Sequence, residues 1–161
     1  MLHDVLLKRL GSVMARRSGL SSMGVVTCTR NGGPGVTALT LLAIFVGGGG
    51  GATCRYGVGR FVGARYGGVF PLSTFLINVT GCFALGFLTS ALAMLRRDVA
   101  LPTALLATGF LGGYTTFSTY ALEGVLLYND GRRRLAAYNL LGSLVAGLLA
   151  AALGAAAGRL V

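Results

Sequence analysis

The sequence has few residues that carry acid–base or metal chemistry, and this shortage excludes most enzymes. Only four of its 161 residues are Asp or Glu, and the sole histidine, His3, stands near the N-terminus. Cys28, Cys54 and Cys82 share no metal-binding spacing, so we expect packing roles for the two that lie in apolar segments. No Gly-xxxx-Gly-Lys-Ser/Thr pattern is present either. We therefore expect neither an enzyme nor an ATP-driven protein.

Apolar residues are abundant, at 54% of the chain, and they fall into four long blocks. Charged residues make up 11%, against roughly 25% in a soluble domain. The sequence predicts an all-α integral membrane protein with four transmembrane helices, in the cell membrane as a multi-pass protein. The net charge of +10 does not indicate nucleic acid, because most basic residues are arginines at span ends and in the N-terminal segment.

The chain divides into a weakly patterned N-terminal segment and a membrane domain. Residues 1–38 contain a breaker cluster at 29–35, and we expect a disordered or surface-lying extension there. Residues 39–161 are the predicted four-helix transmembrane domain. Its spans are predicted at about 38–56, 71–95, 102–127 and 135–160, with Arg60 and Arg65 in the loop after the first span.

The third span carries an unusually polar stretch, residues 109–123, with three glycines, four hydroxyl residues and Glu123. Unsatisfied polar groups in hydrocarbon cost several kcal/mol each, so this stretch must face protein or a water-filled path. We expect the helix to break where Gly112-Gly113 is followed by Thr115-Thr116. Such a break frees backbone carbonyls, and a cation is one partner they can take.

Other spans also carry polar side chains, and each has two interpretations. Thr74 and Asn78 share one face of the second span, where Asn78 forms an interhelical hydrogen bond or donates to a permeating ion. Asn139 and Ser143 share a face of the fourth span. Arg55, at the end of the first span, is an interfacial anchor or a guanidinium at a pore mouth.

The arginines near the spans give no useful orientation bias. Four near-span arginines fall on one side and five on the other, with Arg55 close by, so we expect insertion in both orientations and an antiparallel dimer. The first side has Arg30, Arg96, Arg97 and Arg159, and the second has Arg60, Arg65, Arg132, Arg133 and Arg134.

The polar groups of the spans suit a small anion. A cation channel would need rings of carboxylates, and Glu123 is the only acidic residue placed inside a span. Hydroxyl and amide hydrogens are donors, and the rim of a phenyl ring is its positive part. A compact anion holds its water tightly, so it needs several close donors to replace that water.

Three motifs resemble the Fluc (CrcB-type) fluoride channel family. They are Gly50-Gly-Ala-Thr-Cys-Arg-Tyr56, Phe75-Leu-Ile-Asn-Val-Thr-Gly81 and Gly112-Gly-Tyr-Thr-Thr-Phe-Ser-Thr-Tyr-Ala-Leu-Glu123. The likeness covers about residues 43–158, and the third motif is long, in register and specific.

The resemblance implies an antiparallel dual-topology dimer with two fluoride pores. It implies a structural Na⁺ at the dimer centre, held by backbone carbonyls of Gly112 and Thr115 from both subunits. Phe117 would present its ring edge to fluoride, and Asn78 would be a donor. Tyr120 stands where the family's second phenylalanine is usual, so its hydroxyl adds a donor or narrows the path.

The remaining expected pore residues have less defined roles. Thr116 and Ser118 would contribute to a polar track, Ser143 would line the pore, and Arg55 would lie in the vestibule. Glu123 would lie near the far end of the pore, or would simply hydrogen-bond the broken helix. Whether Tyr138 or Asn139 faces the pore is open, because the family's tyrosine is usually four residues before the serine.

The resemblance implies a passive, fluoride-selective channel that exports cytoplasmic fluoride, with an identical chain or a paralogue as partner. The alternative from another class is a small four-helix dual-topology multidrug exporter. Such exporters need a carboxylate in the first span, and this first span has none. A structural membrane protein, whose polar groups serve only packing, is the third possibility.

Overall fold

The computed structural model describes residues 36–94 and 99–160. All the regular secondary structure in these two ranges is helical. This confirms the all-α prediction. The predicted N-terminal extension and the Arg96-Arg97 loop lie, except for residues 36–38, outside the described residues. The helices are α1 (Ala38–Arg65), α2 (Leu72–Met94), α3 (residues 100–114), α4 (Phe117–Asn129) and α5 (Arg133–Gly158). Of these, α1, α2 and α5 are each long and apolar enough to cross a membrane.

Helix α1 is longer than the predicted first span. We expected Arg60 and Arg65 in a loop, and that expectation is wrong, because the helix continues to Arg65. The added turns contain no proline, and each arginine lies over the aromatic ring four residues before it. Arg65 lies 3.6 Å from the ring centroid of Phe61. Such i, i+4 pairs support a helix, which ends just before Gly67 and Gly68.

Helices α2 and α5 form one closely packed pair. A methyl group on Gly154 would overlap the carbonyl oxygen of Phe83, and one on Gly158 would overlap that of Phe87. These positions are therefore glycine because two backbones meet there. The Gly154-xxx-Gly158 spacing places both glycines on the face of α5 that packs against α2.

Helices α1 and α3 form the second pair. The glycine run of α1 stays helical, and a side chain on Gly47 or Gly51 would collide with the backbone of α3 at Leu105 or Phe110. These glycines therefore admit the backbone of α3 at close range.

The helix break lies at Thr115 and Thr116. Both have extended backbone angles, at φ −79°, ψ 161° and φ −148°, ψ 119°, whereas Gly112 and Gly113 remain helical. The break is thus in the predicted stretch, but on its threonines. Thr116 caps α4, because its Oγ1 accepts from the amide of Thr119 at 3.3 Å.

Two wide helical turns, of the i→i+5 type, were not predicted. They cover Thr103–Leu111 in α3 and Tyr138–Gly142 in α5. Such turns interrupt the regular α-helical hydrogen bonding, and they are frequent at functional sites. The first lies on the helix that leads into the break, and the second lies on the helix that follows α4.

Candidate functional site

Side chains from α1 and α2 take up the backbone groups that the break releases. Asn78 Nδ2 donates to the carbonyl of Thr116 at 3.0 Å, and Asn78 Oδ1 accepts from the amide of Thr116 at 2.9 Å. Arg55 Nη1 donates to the carbonyl of Thr115 at 3.3 Å. The break is therefore a defined conformation held from two neighbouring helices, and buried backbone groups at this depth require such partners.

A cavity of about 370 Å³ lies on one side of the break. Its wall is largely apolar, with a few polar groups converging on it, which is the usual character of a binding site. The predicted pore residues that line it are Asn78, Thr116, Phe117, Tyr120 and Ser143, together with Gly112 and Thr115.

A second cavity, of about 410 Å³, shares Thr116 with the first. It contains two arginines, Arg55 and Arg60, and one carboxylate, Glu123. Glu123 Oε1 accepts from the hydroxyl of Thr74 at 2.8 Å, while Oε2 is buried with no partner. Together the two cavities are lined by every predicted pore and vestibule residue except Ser118, and Thr116 lines both.

The Phe117 ring is 80% exposed in the single chain although it lines the first cavity. Its ring centroid lies 5.6 Å from that of Tyr120, with the planes inclined at 51°. A large apolar side chain that packs so little within its own chain contributes little to the stability of that chain. Its position at the cavity wall therefore indicates a role in the site and not in packing.

The structure separates the two candidates on α5. Asn139 is 0% exposed and donates from Nδ2 to the carbonyl of Tyr120 at 3.2 Å, whereas Tyr138 is 67% exposed on the outside of the single chain. Ser143 is buried, and its Oγ has no partner although it lines the first cavity. A buried hydroxyl without a partner is free to donate to a ligand there.

The hydroxyl groups at the start of α4 are linked to one another. Thr116 donates its hydroxyl hydrogen to Thr119 Oγ1 at 3.0 Å, and Ser118 Oγ lies 3.4 Å from Thr116 Oγ1. The Thr116 hydrogen is therefore committed within the chain. Thr119, which the sequence reasoning did not single out, accepts it and keeps its own hydrogen at the wall of the second cavity. Only the cap geometry shows that the available hydroxyl hydrogen belongs to Thr119 and not to Thr116.

The electrostatics of the site favour an anion. Helix α4 begins at Phe117, so its first-turn amides and the positive end of its dipole lie between the two cavities. Arg55 and Arg60 add positive charge on one side. Within the described residues the cavities contain a single carboxylate, so a cation would find few ligands.

The Gly112 and Thr115 carbonyls suit a hard cation in kind, because such ions take oxygen ligands. The amide of Thr116, which would close the helix onto Gly112, goes to Asn78 instead. Gly112 is also exposed, with open space beside its Cα. One chain offers two such carbonyls, which is too few for a complete coordination shell. A complete shell at these two carbonyls would need further oxygen ligands from outside this pair.

Comparison with known proteins gives a consistent result. Residues 42–155 match the model of the family described as CrcB-like protein, Camphor Resistance (CrcB). The chain is 46% identical over 123 residues to the fluoride-specific ion channel FluC of a Hydrogenobaculum species, covering 76% of this chain and 100% of that protein. It is 42% identical over 122 residues to the fluoride-specific ion channel FluC 2 of Brucella abortus, covering 74% and 95% of the two chains. A third relative, FluC of Chloroflexus aurantiacus, is 40% identical over 120 residues, covering 74% and 94%.

Proposed function

Since this chain belongs to the CrcB-like protein family, we propose that it is a fluoride-selective ion channel, as its relatives are named. It is a multi-pass membrane protein and not an enzyme. Fluoride enters cells as neutral HF, which ionises inside where the pH is higher. The negative interior potential then drives the anion out through a passive pore, and its toxicity falls.

The single observation that supports an anion path is the convergence of donors on the break. The partnerless hydroxyl of Ser143 and the ring of Phe117, which is the first residue of α4, both lie at the first cavity. Small anions need such close donors in place of their water. Thr116 stands between this cavity and the arginine-lined one, so the path would pass Thr116.

We assign four membrane spans to the chain, the third being the broken pair α3 and α4. Two copies would associate in opposite orientations, because the near-span arginines are balanced between the two sides. The exposed Phe117 ring and the exposed Gly112 are the features of the break that a second copy would cover. Whether that copy is identical or a paralogue, it would complete the walls of the path.

A structural Na⁺ would lie between the two copies. The carbonyls of Gly112 and Thr115 would hold it, two from each subunit, and its charge would fix the two breaks against each other. The guanidinium of Arg55 already uses one lone pair of the Thr115 carbonyl, which leaves the second for the ion.

A multidrug exporter is not favoured. Such a protein needs an acidic residue in its first span to exchange protons for cationic substrates, and α1 contains no Asp or Glu. The acidic residue at membrane depth is Glu123 on α4, where Thr74 already donates to one of its oxygens.

Fluoride sensitivity of cells tests the function. A strain that lacks this chain should stop growing at fluoride concentrations that the parent tolerates, and a plasmid copy should restore growth. A copy with Phe117→Ile should be made at the same level and fail to restore it. Equal tolerance in the parent and the deletion strain would contradict the proposal.

Labelling tests the topology. Val69, half exposed between α1 and α2, is replaced by cysteine in a chain without its other cysteines. A membrane-impermeant maleimide added outside should label about half of the molecules if the chain inserts both ways. Labelling of all or none of them would contradict dual insertion.

A further inference from the structure

Tyr120 on α4 and Asn139 on α5 hold each other's helix. The hydroxyl of Tyr120 donates to the carbonyl of Leu140 at 2.7 Å, and Asn139 Nδ2 donates to the carbonyl of Tyr120 at 3.2 Å. Each side chain thus donates to the backbone of the opposite helix. We call these two hydrogen bonds the α4–α5 clasp.

The residues around the α4–α5 clasp are closely packed. Asn139 is 0% exposed, and one turn after Tyr120 a methyl group on Gly124 would come within 2.7 Å of Leu140 Cδ2. The Leu140 side chain therefore packs directly against Gly124. Leu140 lies in the wide turn Tyr138–Gly142, where regular α-helical bonding is interrupted and a carbonyl can accept from a side chain.

The clasp decides what the Tyr120 hydroxyl can do. Its hydrogen is committed to Leu140, so in this arrangement it is not offered to a passing anion. Tyr120 is thus held at two points: its hydroxyl donates to Leu140, and its backbone carbonyl accepts from Asn139. It is this fixed ring that lines the first cavity beside Phe117, at 5.6 Å and 51°.

We infer that Tyr120 and Asn139 are positioning residues for anion selectivity, and that the clasp holds the Tyr120 ring at the width and tilt that admit fluoride. The inference rests on the proposed channel function. The rival explanation is that the Tyr120 hydroxyl itself donates to the anion. The two differ at Asn139, which contacts the Tyr120 backbone and does not line the cavity.

A stability cycle in detergent tests the clasp without any transport. Tyr120→Phe removes the hydroxyl and keeps the ring. Asn139→Leu removes one hydrogen bond together with Oδ1, a buried atom that has no partner, so this variant is expected to fold. The melting temperature of the double variant should be at most slightly below that of the less stable single variant, because either substitution alone releases the same contact. Additive losses would overturn the clasp. Asn139→Ala replaces the leucine variant if the latter aggregates.

Flux in liposomes tests the positioning role. Tyr120→Phe and Asn139→Leu should each lower the fluoride-to-chloride permeability ratio by about fivefold, and the double variant by about the same factor. Tyr128→Phe, an exposed tyrosine on the same helix, is the matched control and should leave the ratio unchanged. An unchanged ratio in Asn139→Leu with a lowered ratio in Tyr120→Phe would show that the hydroxyl serves the anion directly, and would overturn the inference. A wild-type protein without fluoride flux would instead remove the proposed function, and the positioning role with it.

Discussion

Asn78 and Thr116 are joined by two hydrogen bonds across the helix break, one to the carbonyl of Thr116 and one from its amide. The asparagine amide thereby takes the place of the helical partners that the extended backbone lost. A side chain with both a donor and an acceptor is required for this, and Asn has both.

Asn78→Leu should therefore damage both stability and transport. It keeps the approximate volume and orphans two backbone groups, each costing about 1–3 kcal/mol when buried, so the free energy of unfolding should fall by about 2–6 kcal/mol. Fluoride flux should fall by more than about tenfold, because the break would relax. Thermal melting and liposome flux measure the two effects.

The matched control on the same helix is Thr89→Val. The hydroxyl of Thr89 donates only to carbonyls of its own helix, at Leu85 and Gly86, so both measurements should stay near wild type. Equal behaviour of Asn78→Leu and Thr89→Val would contradict the role given to Asn78.

Phe117→Ile should abolish fluoride flux without unfolding the chain. The ring is 80% exposed in the single chain, so its loss removes little packing there, whereas an aliphatic side chain offers no positive ring edge to an anion. Phe45→Ile, on α1 with 79% exposure, is the control and should conduct as wild type does. Flux through Phe117→Ile at the wild-type rate would exclude the ring from the path.

Gly51→Ala should destabilise the pairing of α1 with α3. An added methyl group would overlap the carbonyl of Phe110 and lie 2.8 Å from the amide of Tyr114, so the helices must separate. Overpacking of this kind costs about 1–3 kcal/mol. Gly63→Ala, which meets nothing within 4 Å, should instead be neutral or gain up to about 1 kcal/mol from helix propensity. Melting temperatures of the two variants compare them, and equal values would contradict the close approach.

Arg55→Gln should lower fluoride flux in a salt-dependent way. A guanidinium at the second cavity concentrates anions, and salt screens that attraction over about 10 Å at 0.1 M. We expect a loss of about threefold at low ionic strength that nearly vanishes near 1 M salt. Arg65→Gln, farther along α1 against Phe61, should show no such loss. A deficit that is constant with salt would mean that Arg55 acts through its hydrogen bond to Thr115 alone.

The helices and the break could be predicted because they follow from composition. Long apolar runs indicate helices in a membrane, and a Gly-Gly-Tyr-Thr-Thr sequence inside one indicates an interruption. The extent of α1 was missed because Arg60 and Arg65 resemble loop residues until their pairing with Tyr56 and Phe61 is seen. Side-chain pairs four residues apart determine where such a helix ends, and the charge of the residues alone does not predict it.

The sequence indicated which side chains lie near the break, but it did not indicate their hydrogen-bond partners. Asn78 and Tyr120 were named as groups that could donate to an ion, but the structure gives one amide hydrogen of Asn78 to Thr116 and the hydroxyl hydrogen of Tyr120 to Leu140. These partners depend on where the break exposes a carbonyl and where α5 widens, and no local pattern specifies either. The same holds for Asn139, whose inward direction follows from the packing of α5 on α4.

The most direct measurement is fluoride efflux from liposomes that contain the purified protein, read with a fluoride electrode under an imposed potential and no proton gradient. We predict rapid fluoride efflux, little chloride efflux, and a rate that is unchanged when a proton gradient is added. Efflux no faster than from empty liposomes, or efflux that occurs only with a proton gradient, would contradict the channel.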